Sequence, residues 1–511
     1  MTTFLATSAA VCVLAAAGLL PVVAGVGWRW YAVPLAPLAG SVVAAVAVTA
    51  SLSFGGALMS WFVGLGALAA AAVFGVWVVR PELGPRSRSD PSHGSVRSQD
   101  SVRSPGSVTS VGRTDRLVGV AGFVLVVATC AWSLRGLRTP TVGFDARALW
   151  VMRPGWFLQS HGQLLIDLKA RSLVLTQSAY PPLISASTAV AWKITGLHTA
   201  RLGVTTVAVL NACALAAAAL AVVECGRTAA RRQIRGWPAW VSGLAAAVLL
   251  VIVAAGVTEP FLTNGYADPL WSLAAVGAVA FGLQLRSDPS ARAAAVILVL
   301  VAGTTKNEGL VTAVALVVLI AARSVGRTGL RGTRAKWMVP SIVAGCELAV
   351  LAWWPILMKA IGARGATSTF TASTDLAHRT NATIHGMSPY LHVLVLALPL
   401  SVVGGLALRR VRRDAGVGND LWAWLALATG LVAVGAALVT GSGAIGPWIL
   451  STVHRITEYP ILQGWWIVGI WAVVAGAGLG GPRSAADRPE QGPTTVDEGL
   501  PAVADLAGVG S

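Results

Sequence analysis

From residue 4 to about residue 480 the chain alternates between apolar runs near twenty residues long and short polar breaks. A helix of about 20 residues, at about 1.5 Å each, crosses the hydrocarbon core of a bilayer. Candidate spans lie at 4–26, 31–53, 57–79, 117–134, 201–223, 238–257, 266–285, 291–304, 309–323, 337–358, 391–408, 420–440 and 462–480. In lipid every backbone polar group needs an internal partner, and apolar runs of this length satisfy that only as helices. The pattern predicts an all-α protein, a polytopic transmembrane helical bundle of about thirteen spans. The first run, MTTFLATSAAVCVLAAAGLL, has no basic leading segment and reads as a first span rather than a cleaved signal.

Two stretches break the pattern. Residues 80–116 are Ser, Pro, Gly and Arg with almost no aromatics, a composition that reads as a disordered cytoplasmic linker. Residues 482–511 read as a disordered, slightly acidic tail. The chain thus divides into three N-terminal helices over 1–79, the linker 80–116, a main transmembrane body over 117–481, and the tail.

Composition agrees with this picture. The chain is 55% hydrophobic and 12% charged, against about 25% charged in a soluble protein, and its mean hydropathy is +0.71. A net charge of +17 would suit nucleic acid, but the arginines sit in short loops between apolar runs, at 226–236, 286–292, 323–336 and 409–414. There they set topology, with these loops and the linker in the cytoplasm, and nucleic acid is excluded as a partner. Cys12, Cys130, Cys213, Cys225 and Cys346 are scattered without paired spacing, which argues against a disulfide framework or a zinc site.

The orientation has a consequence. Between 117 and 226 the chain leaves the cytoplasm and returns, so three apolar stretches compete for two spans. The shortest, at 181–195, opens with Pro181–Pro182, carries Lys193 and closes at Gly196. It is expected to lie along the outer interface as a helix with one apolar and one wetter side. An extracytoplasmic segment over 135–200 follows, interrupted by Pro154–Gly155 and read as two or three short surface helices. The remaining outer loops are 258–270, 304–309, 359–390 and 441–460. Asp145, Glu259, Asp268, Glu308, Asp375 and Glu458 all fall on that outer side. A channel or proton-driven carrier more often holds ionisable residues within its spans. Here the acids gather at one water–lipid boundary, which directs the search for chemistry to the outer leaflet.

The stretches GFDARALW (143–150), YPPLISASTAVAWKITGLHTARLG (180–203), NGYADPLW (264–271), TTKNEGL (304–310) and HRITEYP (454–460) carry a family resemblance. In order and placement the set resembles the GT-C glycosyltransferases, among them protein O-mannosyltransferases and lipid A aminoarabinose transferases, over residues 117–480. The resemblance implies a GT-C-like body with interfacial helices in the first outer loop. It implies an enzyme of the cell membrane that moves a sugar from a polyprenyl-phosphate carrier to an extracytoplasmic acceptor (a cell-envelope glycan, lipid or protein). Asp145 would be the general base, or would orient the acceptor; a carboxylate at the interface can take the proton of an attacking hydroxyl. Many relatives place two acids together where this chain has Asp145–Ala146. No metal ligand is therefore assigned, and a divalent cation stays open as cofactor. Some relatives carry Lys where Tyr180 stands, so the phosphate falls to Lys306 and Arg455.

Each residue also has a plainer explanation. Asp145 suits an N-cap, as does Asp268 before Pro269; Asp268 and Tyr180 are expected to line the pocket. Lys306 and Glu308 could form a salt-bridged turn, yet a lysine at an apolar boundary needs water or an anion, and the lipid phosphate is one. Asn307 points to the same place. His454 and Arg455 precede a Trp-rich span, and Arg suits bidentate phosphate binding. Their plain role is an interfacial anchor, supported by Trp448, Trp465 and Trp466. Trp150, Trp156 and Tyr180 read as aromatic-belt residues rather than sugar platforms. The rival functions are a polytopic transporter or lipid-linked-sugar flippase, which Lys306 and Glu308 facing a central cavity would favour, and a non-enzymatic scaffold.

Overall fold

The structure, a computed structural model, describes residues 2–83, 107–138, 141–143, 146–170, 179–232, 237–259, 261–285, 288–328, 335–363, 373–415, 420–440 and 445–480. Among the described residues it is all-helical, with no strand. The chain opens with α1 (Thr2–Val26), α2 (Ala32–Phe54), α3 (Leu58–Leu83) and α4 (Ser107–Ser133). The next segment holds a π-helical turn at Ala146–Val151, then α5 (Arg153–Phe157), α6 (His161–Lys169) and α7 (Leu183–Thr195). There follow α8 (Ala200–Ala230), α9 (Trp237–Val257), α10 (Asp268–Val279, continued as a π-helical turn to Gln284), α11 (Pro289–Thr305) and α12 (Asn307–Thr328). The chain closes with α13 (Ala335–Ala360), α14 (Ser373–Met387), α15 (His392–Ala407), α16 (Arg409–Ala415), α17 (Leu421–Thr440), α18 (Ile445–Ile456) and α19 (Glu458–Gly480).

Every apolar run expected to be a span is helical. Nine helices among the described residues are long and apolar enough to cross a membrane, or ten if the pair bent by 73° around Leu391 is one span. The protein is a multi-pass membrane protein. Helix α4 starts at Ser107, inside the stretch expected to be linker; residues 84–106 and the tail lie outside the described residues.

The short helices α10 and α11 form the centre. All twelve residues of α10 are buried, and it packs against α8, α11 and α19. The N-terminal helices belong to the same bundle: α2 packs on α7, α8 and α11. Tyr31 meets the ring of Phe281 at 4.7 Å, and Thr7 shares a 2.7 Å hydrogen bond with Thr205. Local signals fix several ends. Asp288 caps α11 by accepting from Ser290 N at 2.9 Å, with Pro289 in the first turn. Gly196 ends α7 with a left-handed φ of 70°.

Helix α7 corrects one expectation. It forms over the expected residues, but Leu183 through Trp192 are all buried, with α1, α2, α5 and α8 packed around it. There is no wet face; only its last turn, with exposed Lys193, reaches solvent or headgroups. Two of its hydroxyls are satisfied by the helix itself: Ser187 donates to Leu183 O at 2.8 Å and Thr195 to Ala191 O at 2.8 Å.

Contacts sort the helix ends into two groups. At one end Arg29 pairs with Asp288 at 3.6 Å, Arg227 with Glu224 at 2.8 Å, and Arg412 with Asp420 at 2.8 Å. At the other, Trp353 donates to Ser53 Oγ at 3.0 Å, Trp354 to Ala179 O at 3.1 Å, and Arg135 pairs with Glu259 at 3.2 Å. The first end carries the Arg-rich loops.

Candidate functional site

The site is built at the end opposite those loops, from three helix starts and two helix finishes. Helices α11 and α12 join through a single residue, Lys306, in extended conformation (φ −152°, ψ 159°). So tight a hairpin brings the first turn of α12 against the last turn of α11. Gly309 permits this: a Cβ there would strike Ala302 O and lie 3.0 Å from Trp271 Cβ. The hairpin tip is buried, and Lys306 is 5% exposed.

Asp268, the first residue of α10, receives that lysine. Lys306 Nζ lies 2.6 Å from Asp268 Oδ1 and 3.5 Å from Glu308 Oε1. Arg455, in the last turn of α18, approaches Asp268 Oδ2 at 3.9 Å. Glu458 heads α19 and is wholly buried, within electrostatic reach of Asp268, Lys306 and Arg455. Asp268, Glu308 and Glu458 thus each sit in the first turn of a helix, where the macrodipole favours a carboxylate. Lys306 and Arg455 sit at helix C-termini, where it favours a cation. Burial opposes the charge on Lys306, but Asp268 and Glu308 outweigh it and hold its pKa above the ordinary lysine range.

Aromatic groups wall the cluster. The Arg455 guanidinium lies 4.8 Å over the Tyr266 ring, Tyr266 meets Phe261 at 5.1 Å, and Phe261 meets half-buried His454 at 5.2 Å. Tyr180 lies near enough to Lys306 to act on it electrostatically, and its ring meets Trp150 at 5.7 Å. Its backbone carbonyl accepts from Arg153 Nη2 at 2.9 Å.

Asp268, Lys306, Glu308 and Arg455 therefore meet, Tyr180 and His454 flank them, and Asn307 is exposed at the head of α12. Asp145 lies outside the described residues, as does Asp375 in its side chain. Two readings need correcting. Trp150 and Trp156 are 2% and 7% exposed, which makes them core residues and not an interfacial belt; the same is true of Trp466 at 1%. Glu458 was counted among the outer acids but not among the site residues. Its signal was present: an acid three residues after Arg455, at the head of an apolar run. Among the described residues no group of three or more His, Cys, Asp or Glu side chains could hold a metal ion.

A cleft of about 650 Å³ lies elsewhere, between α1, α2, α11, α12 and α13, with Pro21, Val43, Arg292, Pro340 and Glu347 in its walls. Neither Lys306 nor Glu308 lines it. It is an apolar feature near the Arg-rich end. Comparison of the chain with family models, curated proteins and solved structures gives no match.

Proposed function

We propose that the protein is a membrane glycosyltransferase of the GT-C type, with about thirteen spans. It uses a polyprenyl-phosphate-linked sugar and an acceptor on the extracytoplasmic side. The observation that carries this reading is the meeting of Asp268, Lys306 and Arg455, from three distant parts of the chain, at the bundle end opposite the Arg-rich loops. By the positive-inside rule that end faces away from the cytoplasm.

In the proposed reaction an acceptor hydroxyl attacks the anomeric carbon, and its proton passes to Asp145. The bond from that carbon to the phosphate oxygen breaks, and the electron pair leaves with polyprenyl phosphate. Lys306 and Arg455 offset the charge that develops there. Lys306 has three N–H donors; Asp268 and Glu308 engage it, and a phosphate oxygen would be its third partner. Arg455 approaches Asp268 at 3.9 Å, and a guanidinium has the planar geometry that suits phosphate. The assignment of Asp145 rests on the sequence resemblance.

The test is lipid-linked sugar analysis by mass spectrometry in cells lacking the protein. The expected result is accumulation of a polyprenyl-phosphate sugar, reversed by wild type but not by Asp145→Asn produced at equal level. Unchanged lipid-linked sugars and envelope glycans on deletion would overturn the proposal.

A further inference from the structure

The charge cluster holds the carboxyl groups of Asp268, Glu308 and Glu458 and the cations Lys306 and Arg455. Glu458 is wholly buried, and among the described residues neither of its carboxyl oxygens has a hydrogen-bond partner. Glu308 Oε2 is likewise buried and, among the described residues, unpartnered. Buried polar atoms in folded proteins are almost always satisfied, and a native exception calls for an explanation such as an absent ligand. Lys306 does not supply it, since its contacts run to Asp268 and Glu308.

A partner for these oxygens would have to bring hydrogen-bond donors to a buried, acceptor-rich cluster. A further cation is a poor match, because Lys306 and Arg455 already act on Glu458 as positive charges and would repel it. Neutral hydroxyls are not repelled. Two adjacent hydroxyls match the two oxygens of one carboxyl group. Beside Glu458 in sequence, Tyr459 is fixed by a 3.1 Å bond from its hydroxyl to Ala426 O and packs on Trp271 at 5.6 Å, so the start of α19 is rigidly held.

We infer that Glu458 is a substrate-binding residue that accepts hydrogen bonds from neighbouring hydroxyls of the transferred sugar. This rests on the glycosyltransferase reading above and adds to it: the cations hold the phosphate, and Glu458 distinguishes a sugar-bearing carrier from a bare one.

The experiment uses the full chain in nanodiscs and measures binding of decaprenyl phosphate, decaprenyl phosphomannose and decaprenyl phosphoarabinose by native mass spectrometry. Wild type is expected to prefer at least one sugar-bearing carrier over the bare carrier by about tenfold. Glu458→Gln should bring that ratio close to one, with the loss falling on the sugar-bearing carrier, an outcome a merely structural role would not give. If Glu458→Gln does not fold, Glu458→Asp, which withdraws the carboxylate by one methylene, is expected to lower the same ratio. Either variant keeping the full preference overturns the inference. A wild type that binds all three carriers equally overturns it too and leaves the carrier reading standing. A wild type that binds no carrier overturns both.

Discussion

The Lys306 ammonium lies 2.6 Å from Asp268 Oδ1, with both side chains sealed from solvent. One residue closes the α11–α12 hairpin and the other opens α10, so the pair ties the central helices together at one end. Removing one partner of a buried ion pair strands the other charge and typically costs about 3–5 kcal/mol. Lys306→Met and Asp268→Asn should each lower stability by about that much, read as thermal unfolding in detergent. Replacing both, as Asp268→Leu with Lys306→Met, should recover part of the loss, because one charge of each sign is removed together, although Glu308 and Arg455 each lose a partner. A double variant showing the sum of the two single losses would refute this account.

The same pair sets a pH signature. Lys306 is held above its ordinary range by Asp268 and Glu308 despite burial. A raised lysine contributes stability that is complete below its unfolded value, about 10.4, and is lost as pH rises through the folded value. The stability difference between wild type and Lys306→Met should therefore be flat from about pH 6 to about pH 9 and shrink only above about pH 10.4. A difference that fades near neutral pH would show the lysine to be uncharged.

Much of this arrangement was legible in the sequence, and the limits are instructive. The helices follow from apolar run length, which lipid makes a strict signal. Lys306 and Asp268 stood out because charge beside an apolar run is costly and needs a reason. The burial of α7 was not legible. Its Ser185, Ser187 and Thr188 look wet in a one-dimensional pattern, and only tertiary packing shows them enclosed. The same blindness put Trp150 and Trp156 in an aromatic belt. Glu458 was missed because its neighbours in sequence explain a helix start adequately; its lack of a partner is a property of the packed bundle.

Arg455 combines a guanidinium stacked on Tyr266 at 4.8 Å with a long approach to Asp268. Planarity matters to both contacts, so lysine is not an equivalent replacement. If Arg455 stabilises the departing phosphate, Arg455→Ala should lower the transfer rate by about 10²–10³-fold, and Arg455→Lys should recover only part of it. Comparable unfolding temperatures for the two variants would separate this from a packing defect. Full activity in Arg455→Ala would remove Arg455 from the phosphate site.

Sidedness is the premise shared by all of the chemistry, and α8 offers a direct check. Its 31 residues extend about 46 Å, more than the roughly 30 Å hydrocarbon core, so its two ends must lie on opposite faces. Lys193, shortly before α8, and Arg232, just after it, are both exposed. In a background with Cys12, Cys130, Cys213, Cys225 and Cys346 replaced by Ser or Ala, Lys193→Cys should react with an impermeant maleimide in intact cells. Arg232→Cys should react only after permeabilisation, because the Arg-rich loop belongs in the cytoplasm. The reverse pattern would turn the bundle over, place Asp268, Lys306 and Arg455 at the cytoplasmic face, and remove the basis for a sugar donor arriving on the outer leaflet.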